Sequence, residues 1–368
     1  MKIDNIKVKN FKSLKSIDID LDNLTLITGV NSSGKSSFIQ TLLLLKQNEM
    51  VFNNLQRRVI NINGEYTELG NKKDILFEGA YEEDIEIVLT ANHKEEKILF
   101  NSENLKLNDM SNISLIGLED NLNIFNDDFQ YITTDRVTPS ITYNLSDEHI
   151  ERNLIGFRGE FSAHYLAERR HDRLHIQALT HKKSSEDSRL LENVSHWLGE
   201  ISSSIDISAE VNPAFQQVNL TYQYAYGDNT TKKYTPLNVG FGITYVLPII
   251  VAILKAKPND LLIIENPESH LHPAGQSKIA ELCAIAAANG VQIIVETHSD
   301  HFLNGIRVAT KNELLKPEDS KVYFFRKDKD ELETKIDEIN IDKEGGINRY
   351  PKGFFDQFDE DLDRLISW

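Results

Sequence analysis

The chain has 368 residues, 40% of them hydrophobic and 26% charged, which is enough apolar material to bury a sizeable core in one large domain or two. A formal net charge of −17 excludes a protein whose whole surface coats nucleic acid, though it leaves room for a local basic groove. The single cysteine, Cys283, excludes an internal disulfide and a cysteine zinc site, and no apolar run has the length of a signal core or a membrane span. The expected location is therefore the cytoplasm, with no membrane partner.

Residues 1–28 alternate as strands: Ile3, Ile6 and Val8, then Ile17, Ile19 and Leu21, then Leu24, Leu26 and Ile27. The third strand runs into Gly29-Val-Asn31-Ser32-Ser33-Gly34-Lys35-Ser36-Ser37, the full G-x-x-x-x-G-K-[ST] pattern of a phosphate-binding loop. Its glycines allow φ > 0, so successive backbone N–H groups can face one concavity and hold phosphate oxygens. Lys35 adds a point charge for the β- and γ-phosphates, and the Ser36 hydroxyl suits Mg²⁺. The helix predicted from Ser36 to Leu45 aims its positive end at the anion. ATP and Mg²⁺ are accordingly the expected cofactors.

Strands dominate again from 58 to 100, with 85–89 the clearest, while 101–130 carries no assignment. A strand over 129–133 leads into Asp135-Arg136. The stretch 147–205 reads as helical from Leu166, Leu174, Leu190, Leu191, Val194, Trp197 and Ile201. It holds the one basic cluster, between Arg169 and Lys183. That cluster is either a contact for nucleic acid or an acidic partner, or a solvated helix face paired with its own carboxylates; its mixed signs favour the second.

From 217 onward α/β alternation returns, with a strand near 218–224, a helix over 243–255, a strand over 261–264, a helix over 274–289 and a strand over 291–295. Apolar strands of this kind suit the middle of a parallel sheet covered on both faces, where ligands sit beyond the carboxyl ends. The first strand ends in Glu265-Asn266-Pro-Glu268. One carboxylate there can reach the Mg²⁺ held by Ser36, and a second can orient a water for attack on the γ-phosphate. The second strand ends in Glu296-Thr297-His298, where an imidazole can bond the γ-phosphate and sense its loss. Asn238-Val-Gly240-Phe-Gly242 enters an apolar helix as a second anion site, which suggests service to another subunit. After 321 come two strands, over 322–325 and 332–339, and an acidic helix over 356–366 with Phe358, Leu362 and Leu365 on one face. That helix is either a docking surface or a cover for the sheet edge, and the cover is favoured.

These motifs in this order resemble the ABC-type ATPase head of RecF, SMC and the OLD-like ATPases. Closer still is the resemblance to bacterial AAA-type ATPases that end in a short domain of unknown function. The residues that carry it are 31–37, 238–242 with 247–250, 265–273, 296–300 and 350–356. The resemblance implies an α/β fold: a P-loop ATPase head with an N-terminal antiparallel β layer, a parallel core sheet flanked by helices, and a helical insertion. The implied organisation is residues 1–146 for the N-terminal half of the head, 147–205 for the insertion, 206–320 for the C-terminal half and 321–368 for a C-terminal cap.

It implies two heads that sandwich two ATP molecules, so a homodimer or larger, with the Gly240/Gly242 turn of one facing the phosphates of the other. By the same resemblance Lys35 and Ser36 hold phosphate and Mg²⁺, Glu265 takes the strand-end metal position, and His298 is the switch histidine. Asn266 stands where many relatives carry a second acid, which leaves the water-orienting role to Asn266 or Glu268. The signature turn also departs from the usual Leu-Ser-Gly-Gly, with Asn238 where a serine is expected. The chain continues only about seventy residues past His298, too few for an OLD-type nuclease domain, so an effector is expected to be a separate protein. The leading expectation is a slow ATPase acting as a dimeric switch in antiphage defence. The alternatives are a nucleotide-clamped scaffold with little hydrolysis and a RecF-like ATPase of DNA repair or maintenance.

Overall fold

The computed structural model describes residues 1–52, 59–107, 122–202, 204–328 and 332–366, with the side chains of 357–360 outside the description. The chain forms two compact units. In order, its elements are β1 (Asn5–Phe11), β2 (Leu14–Asp20), β3 (Leu24–Gly29), α1 (Lys35–Gln47), α2 (Glu49–Phe52), β4 (Asp84–Ala91) and β5 (Lys94–Asn101). Next are β6 (Gln130–Ile132), β7 (Thr142–Asn144), α3 (Asp147–Glu151), α4 (Ser162–Arg169), α5 (Leu190–Ile201), β8 (Ile205–Asn212), β9 (Gln217–Tyr226) and β10 (Asn229–Thr230). Then come α6 (Phe241–Leu254), β11 (Leu261–Glu265), α7 (Pro273–Ala288), β12 (Gln292–Glu296), α8 (Asp300–Lys311), β13 (Ser320–Lys327), β14 (Thr334–Ile339) and α9 (Gln357–Ile366).

The first unit comprises residues 1–126, 320–342 and 346–368. Its antiparallel sheet has the order β2-β1-β4-β5, and the alternation of Ile6, Val8, Ile17 and Ile19 with polar neighbours buries one face. A second layer is built on β3. There β13 runs parallel to β3, with Val322 opposite Leu26 and Phe325 opposite Gly29, and β14 returns antiparallel to β13. Phe38 of α1 meets Phe325 of β13 with ring centroids 6.1 Å apart, so β13 packs against the helix that follows the glycine loop.

The second unit comprises residues 127–319 and 343–345. Its strands β12, β11 and β6 are parallel, with Ile264 between Val295 and Ile132. Residues 261–264 and 292–296 are all buried, as strands covered on both faces must be. Residues 243–254 of the largely apolar α6 are buried without interruption. A separate antiparallel group pairs β8 and β7 with β9, and β9 with β10.

Three expectations need correction. Among the described residues of the stretch 147–205 the α-helices are α3, α4 and α5, and the chain between 170 and 189 runs in turns with one 3-10 segment over 177–179. The helical spacing spans a gap: between Leu174 and Leu190 only Ile176 and Leu179 are buried apolar residues, three apart, within a run of mixed charge. The end of that stretch is already a strand, since β8 starts at Ile205. Finally, residues 361–366 of α9 are all exposed, Leu362 by 42% and Leu365 by 83%, so these positions do not cover a sheet edge. The side chain of Phe358 lies outside the described residues. No helix among the described residues is long and apolar enough to cross a membrane.

Candidate functional site

In the first unit the Gly29–Ser37 loop joins β3 to α1, and its backbone takes the shape the pattern demands. Gly29 has φ 143°, Ser32 has φ 60° and Gly34 has φ 103°, three left-handed positions of which only Ser32 carries a side chain. The left-handed positions turn neighbouring N–H groups toward one side, and α1 begins at Lys35, so its first turn opens on the same loop. Lys35 is 4% exposed, and its Nζ donates to the carbonyls of Gly29 (3.0 Å) and Val30 (2.9 Å), which fold the side chain back over the loop. Asn31, Ser32 and Ser36 are exposed and Ser37 is half-buried. The Ser33 hydroxyl is buried without a partner among the described residues. A cavity of about 780 Å³ opens beside the loop, lined by residues 32–37 together with Lys12, Lys73 and Lys327. A left-handed cradle at a helix start, a held ammonium, an exposed serine hydroxyl and further lysines fit a nucleotide triphosphate with its cation.

In the second unit the acids cluster where β11 ends. The Glu265 carboxylate accepts from the Thr134 N–H (3.3 Å) and hydroxyl (3.2 Å), and burial raises its pKa against these bonds. Its register partner on β12 is the buried Glu296. Asn266 is left-handed at φ 44°; its N–H donates to the Glu296 carbonyl (2.8 Å), and its side-chain amide makes no hydrogen bond among the described residues. Glu268 accepts from the Thr297 hydroxyl (2.7 Å) at one oxygen and from the His298 N–H (2.8 Å) at the other, so its carboxylate is tied to the segment that follows β12. His298 itself is exposed, and Ser299 caps α8 by accepting from the Phe302 N–H at 3.0 Å.

One residue that carried no assigned role in the sequence organises this turn. Arg136 is completely buried, and its Nη2 donates to the Glu265 carbonyl and to the Asn266 carbonyl (2.9 Å). Its guanidinium lies 4.9 Å from the centre of the Tyr245 ring, while Nε and Nη1 have no partner among the described residues. Burial pushes its pKa down to about 10, with Tyr245, Glu268 and Glu265 acting in the opposite direction. The sequence signal was available: an arginine three residues after an apolar strand, in a chain whose other strand ends carry acids.

The Gly240/Gly242 segment belongs to the same unit. Asn238 donates to the Thr235 hydroxyl (2.9 Å), Gly240 precedes the first residue of α6, and a Cβ on Gly242 would lie 2.4 Å from the His270 carbonyl. Phe241, 41% exposed, packs tilted against Tyr245 (5.2 Å) and edge-to-face against His270 (4.7 Å), and Tyr245 donates to the Thr134 carbonyl (2.6 Å). The first turn of α6 is thereby joined through Tyr245 to Arg136 and the acid turn. Of the expected metal ligands, Ser36 stands in the first unit and Glu265 in the second. Among the described residues no group of three or more His, Cys, Asp or Glu side chains could hold an ion by itself. In the basic cluster, Arg169 pairs with Asp172 (3.8 Å), Arg173 with Asp187 (3.1 Å) and Lys182 with Glu200 (3.5 Å), the pattern of a solvated surface.

Residues 24–304 match the family described as an AAA domain, putative AbiEii toxin of a type IV TA system, and residues 315–365 match a protein family of unknown function, DUF3696. A 70-residue stretch is 33% identical to the DNA replication and repair protein RecF of Lactobacillus acidophilus, covering 19% of each chain. A 50-residue stretch is 40% identical to Endonuclease GajA of Bacillus cereus, covering 14% of this chain and 9% of that one. The chain thus spans less than a fifth of the length of either relative. Among solved structures, an Smc head bound to the C-winged helix domain of ScpA matches at a TM-score of 0.52 and 14% identity, over 93% of this chain and 99% of that one. The Smc head with an extended coiled coil from Pyrococcus furiosus matches at 0.52 and 15% over the whole of both chains. The fold is therefore that of an ABC-type head. With a family match running over more than half its length, the chain belongs to the AAA-domain family described as putative AbiEii toxin, and it carries the DUF3696 segment after that domain.

Proposed function

We propose that this protein is an ATP-binding and ATP-hydrolysing switch that closes as a homodimer or larger and controls a separate effector in antiphage defence. The observation that carries the reading is the Gly29–Ser37 loop, already shaped as an anion cradle with Lys35 held against its carbonyls. Lys35 binds the phosphates, and Ser36 and Glu265 are assigned to Mg²⁺. The bound metal would supply charge neutralisation at the terminal phosphate. Asn266 offers the free side-chain amide beside Glu265 that can orient a water, and Glu268 holds the histidine segment in place. Asn238, Gly240 and Gly242 serve the partner's nucleotide, with the exposed Phe241 at the contact. The defence role draws support from the likeness to Endonuclease GajA and from the family description; a separate protein partner draws support from a similar head bound to ScpA.

A second reading has a specific observation in its favour. Both Glu268 oxygens are engaged by Thr297 and His298, and Asn266 cannot take a proton, so ATP would clamp the dimer with scarcely any turnover. One experiment separates the two: phosphate release together with mass in solution, for wild type and Lys35→Ala, with and without Mg²⁺-ATP. Slow turnover by a dimer or larger species, lost in Lys35→Ala, supports the switch. Assembly on ATP with no phosphate release supports the scaffold, and no response to ATP refutes both.

A further inference from the structure

Both glycines that frame the phosphate loop are needed for a reason beyond their backbone angles. A Cβ on Gly29 would lie 2.0 Å from the Phe325 carbonyl oxygen of β13, and a Cβ on Gly34 would lie 2.2 Å from the Thr334 hydroxyl of β14 and 2.8 Å from the Ser13 hydroxyl. The chain that presses against the loop is the β13–β14 hairpin, inside the segment that matches only a family of unknown function. Thr334 is 4% exposed. Its hydroxyl donates to the Ser33 carbonyl (2.9 Å) and sits 2.9 Å from the Ser13 hydroxyl, and its N–H donates to the Ser13 carbonyl (2.9 Å). A trans peptide sets its C=O and the next N–H on opposite sides. Fixing the Ser33 carbonyl to Thr334 therefore turns the Gly34 N–H away from the hairpin and toward the open side of the loop. The same hairpin supplies Lys327, exposed and lining the cavity with Lys12 and Lys35, and Leu332 on the same wall.

We propose that the β13–β14 hairpin is a working wall of the nucleotide site: Thr334 positions the phosphate loop through the Ser33 carbonyl, and Lys327 adds a further cation for the polyphosphate. This rests on the reading of the loop as an ATP site and gives the segment of unknown function a task within it. Thr334 is a positioning residue, because it acts through the loop backbone. Lys327 acts on the ligand by charge and is strongly salt-dependent.

The test is equilibrium binding of a fluorescent ATP analogue with Mg²⁺ to the full chain, in wild type, Lys35→Ala, Thr334→Val, Thr334→Ser and Lys327→Ala, with thermal unfolding of each nucleotide-free protein. Thr334→Val keeps the volume and removes the donor, and it is expected to weaken binding about tenfold, the usual worth of one buried hydrogen bond. Thr334→Ser restores the donor and is expected to bind within about twofold of wild type. Lys327→Ala, at an exposed position, is expected to weaken binding several-fold at low salt and to reduce the salt dependence. Wild-type affinity in both Thr334→Val and Lys327→Ala overturns the proposal, and so does loss of binding in Thr334→Ser at unchanged unfolding temperature. Should Thr334→Val fail to fold, Lys327→Ala and Thr334→Ser decide by the same criteria. Failure of wild type to bind, with Lys35→Ala no different, refutes the ATP site itself and the proposal with it; Lys35-dependent binding indifferent to the hairpin variants refutes the proposal alone.

Discussion

The phosphate loop and the acid turn keep their shapes by different means. In the loop, left-handed glycines and Ser32 set the path, the lysine is folded onto carbonyls of its own segment, and the bracing contacts are made to peptide groups. In the acid turn, the carbonyls of Glu265 and Asn266 converge on one buried guanidinium, and the carboxylates of Glu265 and Glu268 are tied by hydroxyls and N–H groups of other segments. The first is a backbone device with the ligand-binding charge added; the second is a side-chain device in which charge is also the structural element. Removing the charge that the loop carries should therefore cost binding with little loss of stability, and changes at the turn should show in stability, pH response and turnover together.

The largest effect tests the loop. Lys35→Ala should lower phosphate release about a thousandfold and weaken ATP binding by about 2 kcal/mol, the worth of a charge-assisted contact, while the unfolding temperature stays within a few degrees. An unfolding temperature that collapses instead would place Lys35 in the fold and break the contrast. Next, Glu265→Gln should cut turnover about a hundredfold, as removal of a metal ligand does. Burial raises the Glu265 pKa, so the folded chain favours the proton and its stability declines as pH rises through the window above the ordinary carboxylate value. The glutamine variant should lose that decline and be no less stable than wild type at neutral pH. A drop in its denaturant midpoint at pH 7 would contradict this.

Arg136→Met leaves the carbonyls of Glu265 and Asn266 without their donor, at an expected cost of about 3 kcal/mol in urea unfolding. A variant with wild-type stability but no turnover would mean that the guanidinium acts on the reaction and not on the turn. Asp260, 4% exposed at the start of β11, sharpens the pH argument at a site away from the acids. Burial, with Asp128 nearby, raises it from 3.8 to about 6. The folded state then holds a proton that the unfolded state has released, and stability falls by up to about 3 kcal/mol as pH climbs from about 4 to about 6. Asp260→Asn keeps an acceptor for the Lys257 N–H and should flatten that part of the curve. The smallest effect is expected for Arg173→Ala, which removes an exposed pair with Asp187 and should change stability by less than about 0.5 kcal/mol. If it also reduces binding of a labelled oligonucleotide, the paired surface has a second use.

The same division explains what could be read from the sequence. The phosphate loop was legible because its demands are local, in glycines at fixed offsets between an apolar strand and a helix. The strands 261–265 and 292–296 announced themselves as continuous apolar runs ending in polar clusters. Arg136 did not, because its role depends on carbonyls 129 and 130 positions away. The hairpin brace spans 301 residues and depends on a single threonine hydroxyl. The helical stretch was overextended because apolar residues at helical spacing do not reveal the turn chemistry between them, and β8 went unread because the helical reading ran up to its first residue. Burial of α9 was expected from its apolar stripe, yet Leu362 and Leu365 stay in solvent.

The grip of Thr334 on Ser33 also has a consequence for synthesis. Translation runs from the amino terminus, so the nascent chain acquires its phosphate-binding pattern early, while the residue that locks one of its peptide planes follows three hundred residues later. Until β14 leaves the ribosome, the loop exists as a pattern without its brace, and a ribosome-stalled chain ending ahead of residue 334 should bind nucleotide poorly although every residue of the motif is present. Nucleotide binding would then be delayed until the fold has closed on itself.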